Sequence, residues 1–140
     1  MQPNLKILSY QDYENQINHL TSVTKDFLKQ QDHLSITKIF TIPRGGLPIG
    51  VHLSNYLHIN LITTKQEYIK YDPATILVVD DLCDSGETFK RFKDSILCCL
   101  FVKPRRIITP DIYLNEIPDD TWVVFPWEPT DAEINKPYMF

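Results

Sequence analysis

Along the chain, apolar and polar positions alternate between two periods. Tyr10, Tyr13, Ile17, Leu20, Thr24 and Phe27 recur at three- and four-residue spacing, one face of an amphipathic helix running to about Lys29. Ser9 precedes it as an N-cap, with Asp12 placed to complete a capping box. Ile36 to Ile42 is rich in β-branched residues and predicts a strand, which Pro43-Arg44-Gly45-Gly46 ends. Leu47 to Leu57 predicts a second helix, with Pro48 tolerated in its first turn. Ile59 to Thr64 predicts a short strand and Lys65 to Ala74 a polar connection. Thr75 to Val79 predicts a buried strand, about Gly86 to Ser95 a helix, and Ile96 to Lys103 another buried strand. Beyond Pro104 the prolines crowd together, so extended and turning backbone is expected there and little helix.

Strands alternating with helices predict an α/β fold: one domain spanning residues 1–140, with a central, mostly parallel sheet flanked by helices. Residues 1–103 form its core, and 104–140 a small, Pro-rich, irregular hood. A chain of 140 residues is long enough for one sizeable core and short for two. The net charge of -4 argues against an electrostatically driven nucleic-acid or membrane role, although Lys103, Arg105 and Arg106 cluster in sequence. Cys83, Cys98 and Cys99 offer neither a disulfide framework nor metal-ligand spacing, and Cys83 reads as a small hydrophobe. The four His residues show no partnered pattern and read as structural or solvated. The opening residues lack a signal-peptide pattern, and no apolar run approaches the roughly 20 residues that span a bilayer. A soluble, cytoplasmic protein is expected.

The densest chemistry lies in Ile76 to Thr88, ILVVDDLCDSGET. An apolar strand ends in Asp80 and Asp81, and a turn, Asp84-Ser85-Gly86-Glu87-Thr88, leads into a helix. Unpaired backbone N–H groups, a glycine and two hydroxyls suit an anion such as phosphate. The paired carboxylates suit sugar hydroxyls or a divalent cation. Taken singly, Asp, Ser and Gly are ordinary turn and cap residues; the ordered string points to a phosphorylated sugar. Two other loops follow strands and carry polar residues: Pro43 to Gly46, where Arg44 offers a forked donor, and Lys103 to Arg106. Ligands gather at the carboxyl ends of strands in open parallel sheets, so the three loops predict one site.

The gap-free string from Ile76 to Thr88 resembles the phosphoribosyl-pyrophosphate-binding signature of type I phosphoribosyltransferases. Arg44-Gly45-Gly46-Leu47 is similar to the pyrophosphate loop of the bacterial xanthine-guanine members. Lys103-Pro104, followed by IPDDTWVVFPWE from Ile117 to Glu128, is similar to their purine-binding end. The resemblance, which covers about Ile36 to Glu128, implies transfer of a 5-phosphoribosyl group to guanine, xanthine or hypoxanthine with release of pyrophosphate. It implies Asp84 as the acid/base facing purine N7. Asp80 and Asp81 would bind ribose hydroxyls or the water shell of Mg2+. Ser85, Gly86, Glu87 and Thr88 would hold the 5′-phosphate, and Arg44 and Gly45 the pyrophosphate. Lys103 would donate to the 6-oxo group, Trp122 would stack on the base, and the Val123 backbone would bond its edge; Trp127 reads as packing. A non-proline cis peptide near Arg44 is implied as well. Independently of the resemblance, Phe125, Tyr138 and Phe140, read as exposed aromatics, hint at self-association, and a homo-oligomer, a dimer or tetramer, is expected.

One departure stands out. Family members carry a long loop between the third and fourth strand regions that closes over the reacting groups. Here only Lys65 to Ala74 is present, with Thr63-Thr64 in place of the usual Ser-Tyr pair and Lys65 or Lys70 as substitute cations. Three functions stay open: an active 6-oxopurine enzyme, a non-catalytic phosphoribosyl-pyrophosphate or nucleotide-binding regulator, and a transferase for another base or nucleophile.

Overall fold

The computed structural model describes residues 4–31 and 35–129. Its elements in chain order begin with β1 (Asn4–Ile7), α1 (Tyr10–Lys29), β2 (Lys38–Thr41), α2 (Leu47–Leu57) and β3 (Asn60–Ile62). There follow α3 (Lys65–Tyr68), a 3-10 turn (Pro73–Thr75), β4 (Ile76–Val79), β5 (Leu82–Cys83), α4 (Glu87–Lys90) and β6 (Ile96–Cys98). The last are β7 (Phe101–Val102), β8 (Asn115–Glu116) and β9 (Thr121–Val124). As expected, this is an α/β fold built on a parallel sheet, in the order β3-β2-β4-β6.

The strand β4 lies inside that sheet, and its composition explains why. All four residues are fully buried. Successive side chains point to opposite faces. Leu77 and Val79 join one core cluster with Ile17 and Leu20 of α1 and Ile49 and Leu53 of α2. Ile76 and Val78 join the second, with Phe40, Tyr68, Phe89 and Phe92. A strand covered on both faces needs an unbroken apolar run, not an alternation. The Ser9–Asp12 capping box forms as expected, both reciprocal bonds being 3.0 Å. Tyr10, however, is exposed, because it sits in the helix's first turn beyond the reach of the core.

The structure corrects four further expectations. Ile96 to Lys103 is two strands rather than one. β6 pairs with β4, but at Cys99 and Leu100 the chain steps away, and β7 joins β5 and β8 in a second parallel sheet. The Leu100 amide donates to Asp81 O (3.1 Å) in place of continuing the first ladder. The helix expected from Gly86 to Ser95 is α4 alone, followed by turns closed by bonds such as Phe92 N to Phe89 O (2.9 Å). Phe125 is buried against Phe101 and Trp127, not exposed; Tyr138 and Phe140 lie outside the described residues.

The fourth correction concerns Lys65 to Ala74, which is folded rather than loosely connecting. Thr64 caps α3 through the Glu67 amide (3.2 Å), and Asp72 caps the 3-10 turn through the Ala74 amide (3.0 Å). The buried Tyr68 ring packs on Phe40 and Phe92. Its hydroxyl meets Ser95 Oγ at 2.7 Å, and that hydroxyl bonds Pro73 O at 2.8 Å. Both ends of the connection are thus pinned to the core. Finally, β1, which no sequence signal marked, pairs parallel with β9, Leu5 lying beside Trp122. Among the described residues, no helix is long and apolar enough to cross a membrane.

Candidate active site

The registers of the parallel strands bring the polar loops to one edge. Thr41 aligns with Val79, so the Ile42–Gly46 turn and the Asp80–Asp81 pair leave adjacent strands side by side. The peptide bond between Pro43 and Arg44 is cis, as the resemblance implied. Gly45 lies directly against Asp81: a Cβ on Gly45 would run into the Asp81 carboxylate group. The pyrophosphate-loop candidate and the acidic pair therefore share one wall.

Asp80 and Asp81 are held by backbone. The Asp80 amide donates to Cys98 O (3.0 Å), and the Asp81 amide donates to Asp80 Oδ1 (2.8 Å). Burial, reinforced by the neighbouring Asp81 charge, holds Asp80 well above the usual carboxylate range; burial raises Asp81 also. Two desolvated carboxyls side by side favour a proton, hydroxyl donors or a cation. Among the described residues no third acidic, His or Cys side chain joins them to complete a metal cage. A pair of carboxylates is a donor set of the kind that a hard cation such as Mg2+ takes, since it keeps much of its water.

The turn after β5 rests on the segment after β7. Cys83 pairs with Val102 in a parallel register, and the Lys103 amide donates to Cys83 O (2.9 Å). The next residues, Asp84 and Lys103, consequently meet, with Nζ 3.7 Å from Asp84 Oδ2. Lys103 is buried, and its ammonium also donates to Asp119 O (3.1 Å). Arg105 Nε donates to Asp84 Oδ1 (2.5 Å), and Nη2 forms an ion pair with the same oxygen (2.5 Å). The Ile107 amide donates to Ser85 O (2.8 Å). Gly86 has φ +85 and faces Ile108, whose Cγ2 would lie 2.9 Å from a Cβ there, so glycine is required twice over. Ser85 Oγ accepts from the Glu87 amide (3.3 Å), and Ser85, Glu87 and Thr88 are exposed.

Trp122 stands on β9 with 47% of its surface exposed, while Val123 beside it is buried. β9 has β1 on one edge only, so among the described residues its other edge has no ladder partner. Trp127 packs edge-on against Tyr13 (4.7 Å) and stacks on Phe125 (5.2 Å), as expected of a packing residue. Cys83 is buried and its thiol pushed up to about 11 by desolvation, in keeping with an inert hydrophobe. Of the histidines, His19 and His58 are exposed and His52 stacks on Tyr56; His33 lies outside the described residues. Sequence reasoning missed Arg105 and Asp119 as members of the site. Arg105 stood in the noted basic cluster and Asp119 inside the IPDDTW string, but nothing local paired them with Asp84 and Lys103. A cleft of about 460 Å³ lies at the other end of the sheet, lined by Lys25, Lys29, Tyr56 and His58, and contains none of these residues. The chemistry follows the strand ends, not that hollow.

A Gluconobacter oxydans xanthine-guanine phosphoribosyltransferase is 30% identical over 70% of this chain and 72% of its own. On that relation, the chain belongs to the xanthine-guanine phosphoribosyltransferase family, whose members are pentosyl-transferring enzymes. No protein-family model matches. A purine phosphoribosyltransferase from Pyrococcus horikoshii superposes with TM-score 0.70 at 21% identity, covering 91% of this chain and 96% of that one. A Neisseria gonorrhoeae protein solved with bound ppGpp shares the fold with TM-score 0.69 at 16% identity, over 95% and 94% of the two chains.

Proposed function

We propose that this protein transfers the 5-phosphoribosyl group of phosphoribosyl pyrophosphate to a 6-oxopurine, guanine, xanthine or hypoxanthine, and releases pyrophosphate. The observation that carries the proposal is the meeting of Asp84 and Lys103, an acceptor and a buried donor 3.7 Å apart. Such a pair matches N7–H and the adjacent 6-oxo group on one purine edge. Trp122 offers an exposed indole face for stacking, and the Val123 backbone offers an edge bond.

A purine nitrogen attacks C1 of the sugar as the C1–O bond to pyrophosphate breaks, through an oxocarbenium-like state. The protein's part is positioning and charge stabilisation. Asp84 takes the proton from N7. The amides and hydroxyls of Ser85 to Thr88 bind the 5′-phosphate, and Arg44 and Gly45 bind the leaving pyrophosphate. Asp80 and Asp81 hold the ribose hydroxyls and would hold Mg2+ through its water, and the ion would supply charge neutralisation for the leaving group. Residues 104–140 act as the base-binding segment. The protein is proposed to work in the cytoplasm as a dimer or tetramer, which light scattering would read.

Nucleotide formation from phosphoribosyl pyrophosphate, Mg2+ and a panel of bases tests the reaction. Product with a 6-oxopurine, reduced about 100-fold or more in Asp84→Asn, is expected. Product with pyrimidines alone would overturn the roles of Lys103 and Trp122. A second reading, a non-catalytic nucleotide-binding regulator, is favoured by the pinned Lys65–Ala74 connection, which Tyr68 ties to the core and which leaves little chain to close over substrate. Ligand-dependent thermal stabilisation without product would select it.

A further inference from the structure

Arg105 is the group in the site that neither the motif strings nor the proposed chemistry uses, yet it makes the shortest contacts to the proposed acid/base. Nε donates to Asp84 Oδ1, and Nη2 lies equally close to that oxygen as an ion pair. With two guanidinium nitrogens against it, this oxygen is occupied by the cation. The other, Oδ2, faces the Lys103 ammonium at 3.7 Å and keeps accepting capacity. The oxygen left open is thus the one beside the donor that would read the same purine edge.

The backbone of Arg105 is itself held in place. The Arg105 amide donates to Asp119 Oδ1 (3.1 Å), and Asp119 O accepts from Lys103 Nζ (3.1 Å). One residue therefore anchors the Lys103 ammonium and the backbone that carries Arg105. Pro104 between them has φ fixed by its ring, which limits how the two can move apart.

We propose that Arg105 is a positioning residue for Asp84, occupying one carboxylate oxygen so that the other is presented to the base edge beside Lys103. This rests on the phosphoribosyl-transfer function proposed above. Arg105 touches no reacting atom. Its planar guanidinium sets two nitrogens against one oxygen, which a lysine's single ammonium does less well.

Initial rates with guanine and phosphoribosyl pyrophosphate test it in Arg105→Ala, Arg105→Lys, Asp84→Asn and the Asp84→Asn/Arg105→Ala double variant. Arg105→Ala is expected to lower kcat about 10- to 100-fold, as a misaligned group would. The KM for phosphoribosyl pyrophosphate should stay within about twofold and Tm should not move. Arg105→Lys recovers part of the rate. In the Asp84→Asn background the Arg105 substitution should cost nothing more, because its effect passes through Asp84. An equal loss in both backgrounds overturns the proposal, as does a raised KM for phosphoribosyl pyrophosphate at unchanged kcat, which would make Arg105 a phosphate ligand. Wild type without turnover sends the comparison to guanine binding by tryptophan fluorescence, where Arg105→Ala should weaken affinity about tenfold and unchanged affinity overturns it. A wild type that neither turns over nor binds purine overturns the transfer function and this role together. Turnover with an unaltered Arg105→Ala overturns this role alone.

Discussion

Asp84 and Lys103 meet because each follows one member of a register pair, Cys83 and Val102, on neighbouring parallel strands. Two residues far apart in sequence become one donor–acceptor edge through a single ladder. The edge is no wider than that ladder allows, and it is braced from outside by Arg105 and Asp119.

The contact between Gly45 and Asp81 makes the first prediction. Gly45→Ala would drive a methyl into the Asp81 carboxylate, so one of the two loops must move. The expected result is a KM for phosphoribosyl pyrophosphate raised about tenfold or more, with stability lowered by about 1–3 kcal/mol as in other overpacked sites. Initial rates and thermal melts read the two effects separately. A variant with native KM would detach Gly45 from the pyrophosphate.

Burial of Asp80 sets a pH dependence. Its folded-state proton affinity is raised, so the native state binds the proton more tightly than the unfolded chain does. Its contribution to stability is therefore fully present below the ordinary carboxylate value of about 4 and is lost as pH rises toward the elevated folded value. Asp80→Asn should stabilise the protein more at pH 8 than at pH 5. A difference of at least about 1.4 kcal/mol between the two is expected, the worth of a tenfold change in proton affinity. Thermal melts at the two pH values measure it, and equal gains at both would contradict the desolvated pair.

Tyr68→Phe keeps the ring among Phe40 and Phe92 but removes the hydroxyl bonded to Ser95. A loss of about 1 kcal/mol is expected in chemical denaturation. If the Lys65–Ala74 connection is a fixed floor, turnover should change little. A large rise in kcat would show that freeing this segment assists closure.

The exposed Trp122 ring supplies the fourth. Trp122→Ala should leave Tm within about 0.5 kcal/mol equivalent, since the ring is half in solvent. Base affinity should fall by about 1–3 kcal/mol, the usual worth of a base–aromatic stack. A drop in Tm with unchanged base affinity would return Trp122 to packing.

The longer elements were legible locally. The stripe through Ile17, Leu20 and Thr24 and the Ser9 cap specify α1, because i,i+4 spacing and capping are properties of one backbone segment. The unbroken Ile76–Val79 run specifies a strand covered on both faces, and the string after it names the polar turn and its anion chemistry. Resemblance then supplied the neighbours at Arg44 and at Lys103 to Trp122.

What needed the tertiary structure is whatever depends on pairing between distant segments. Cys99 and Leu100 are as apolar as their flanks, so nothing local announces that the chain leaves one sheet for another there; the competing ladders to β4 and β5 decide it. β1 exists because β9 offers it an edge. Arg105 and Asp119 enter the site for the same reason: strand register sets which loops share a corner, and hydrogen bonds between loops then select the partners. The amino-acid sequence by itself determined the chemical groups and the backbone segments that carry them. Their distances, and so the meeting of Asp84 with Lys103 and Arg105, were decided only when the parallel strands fell into register.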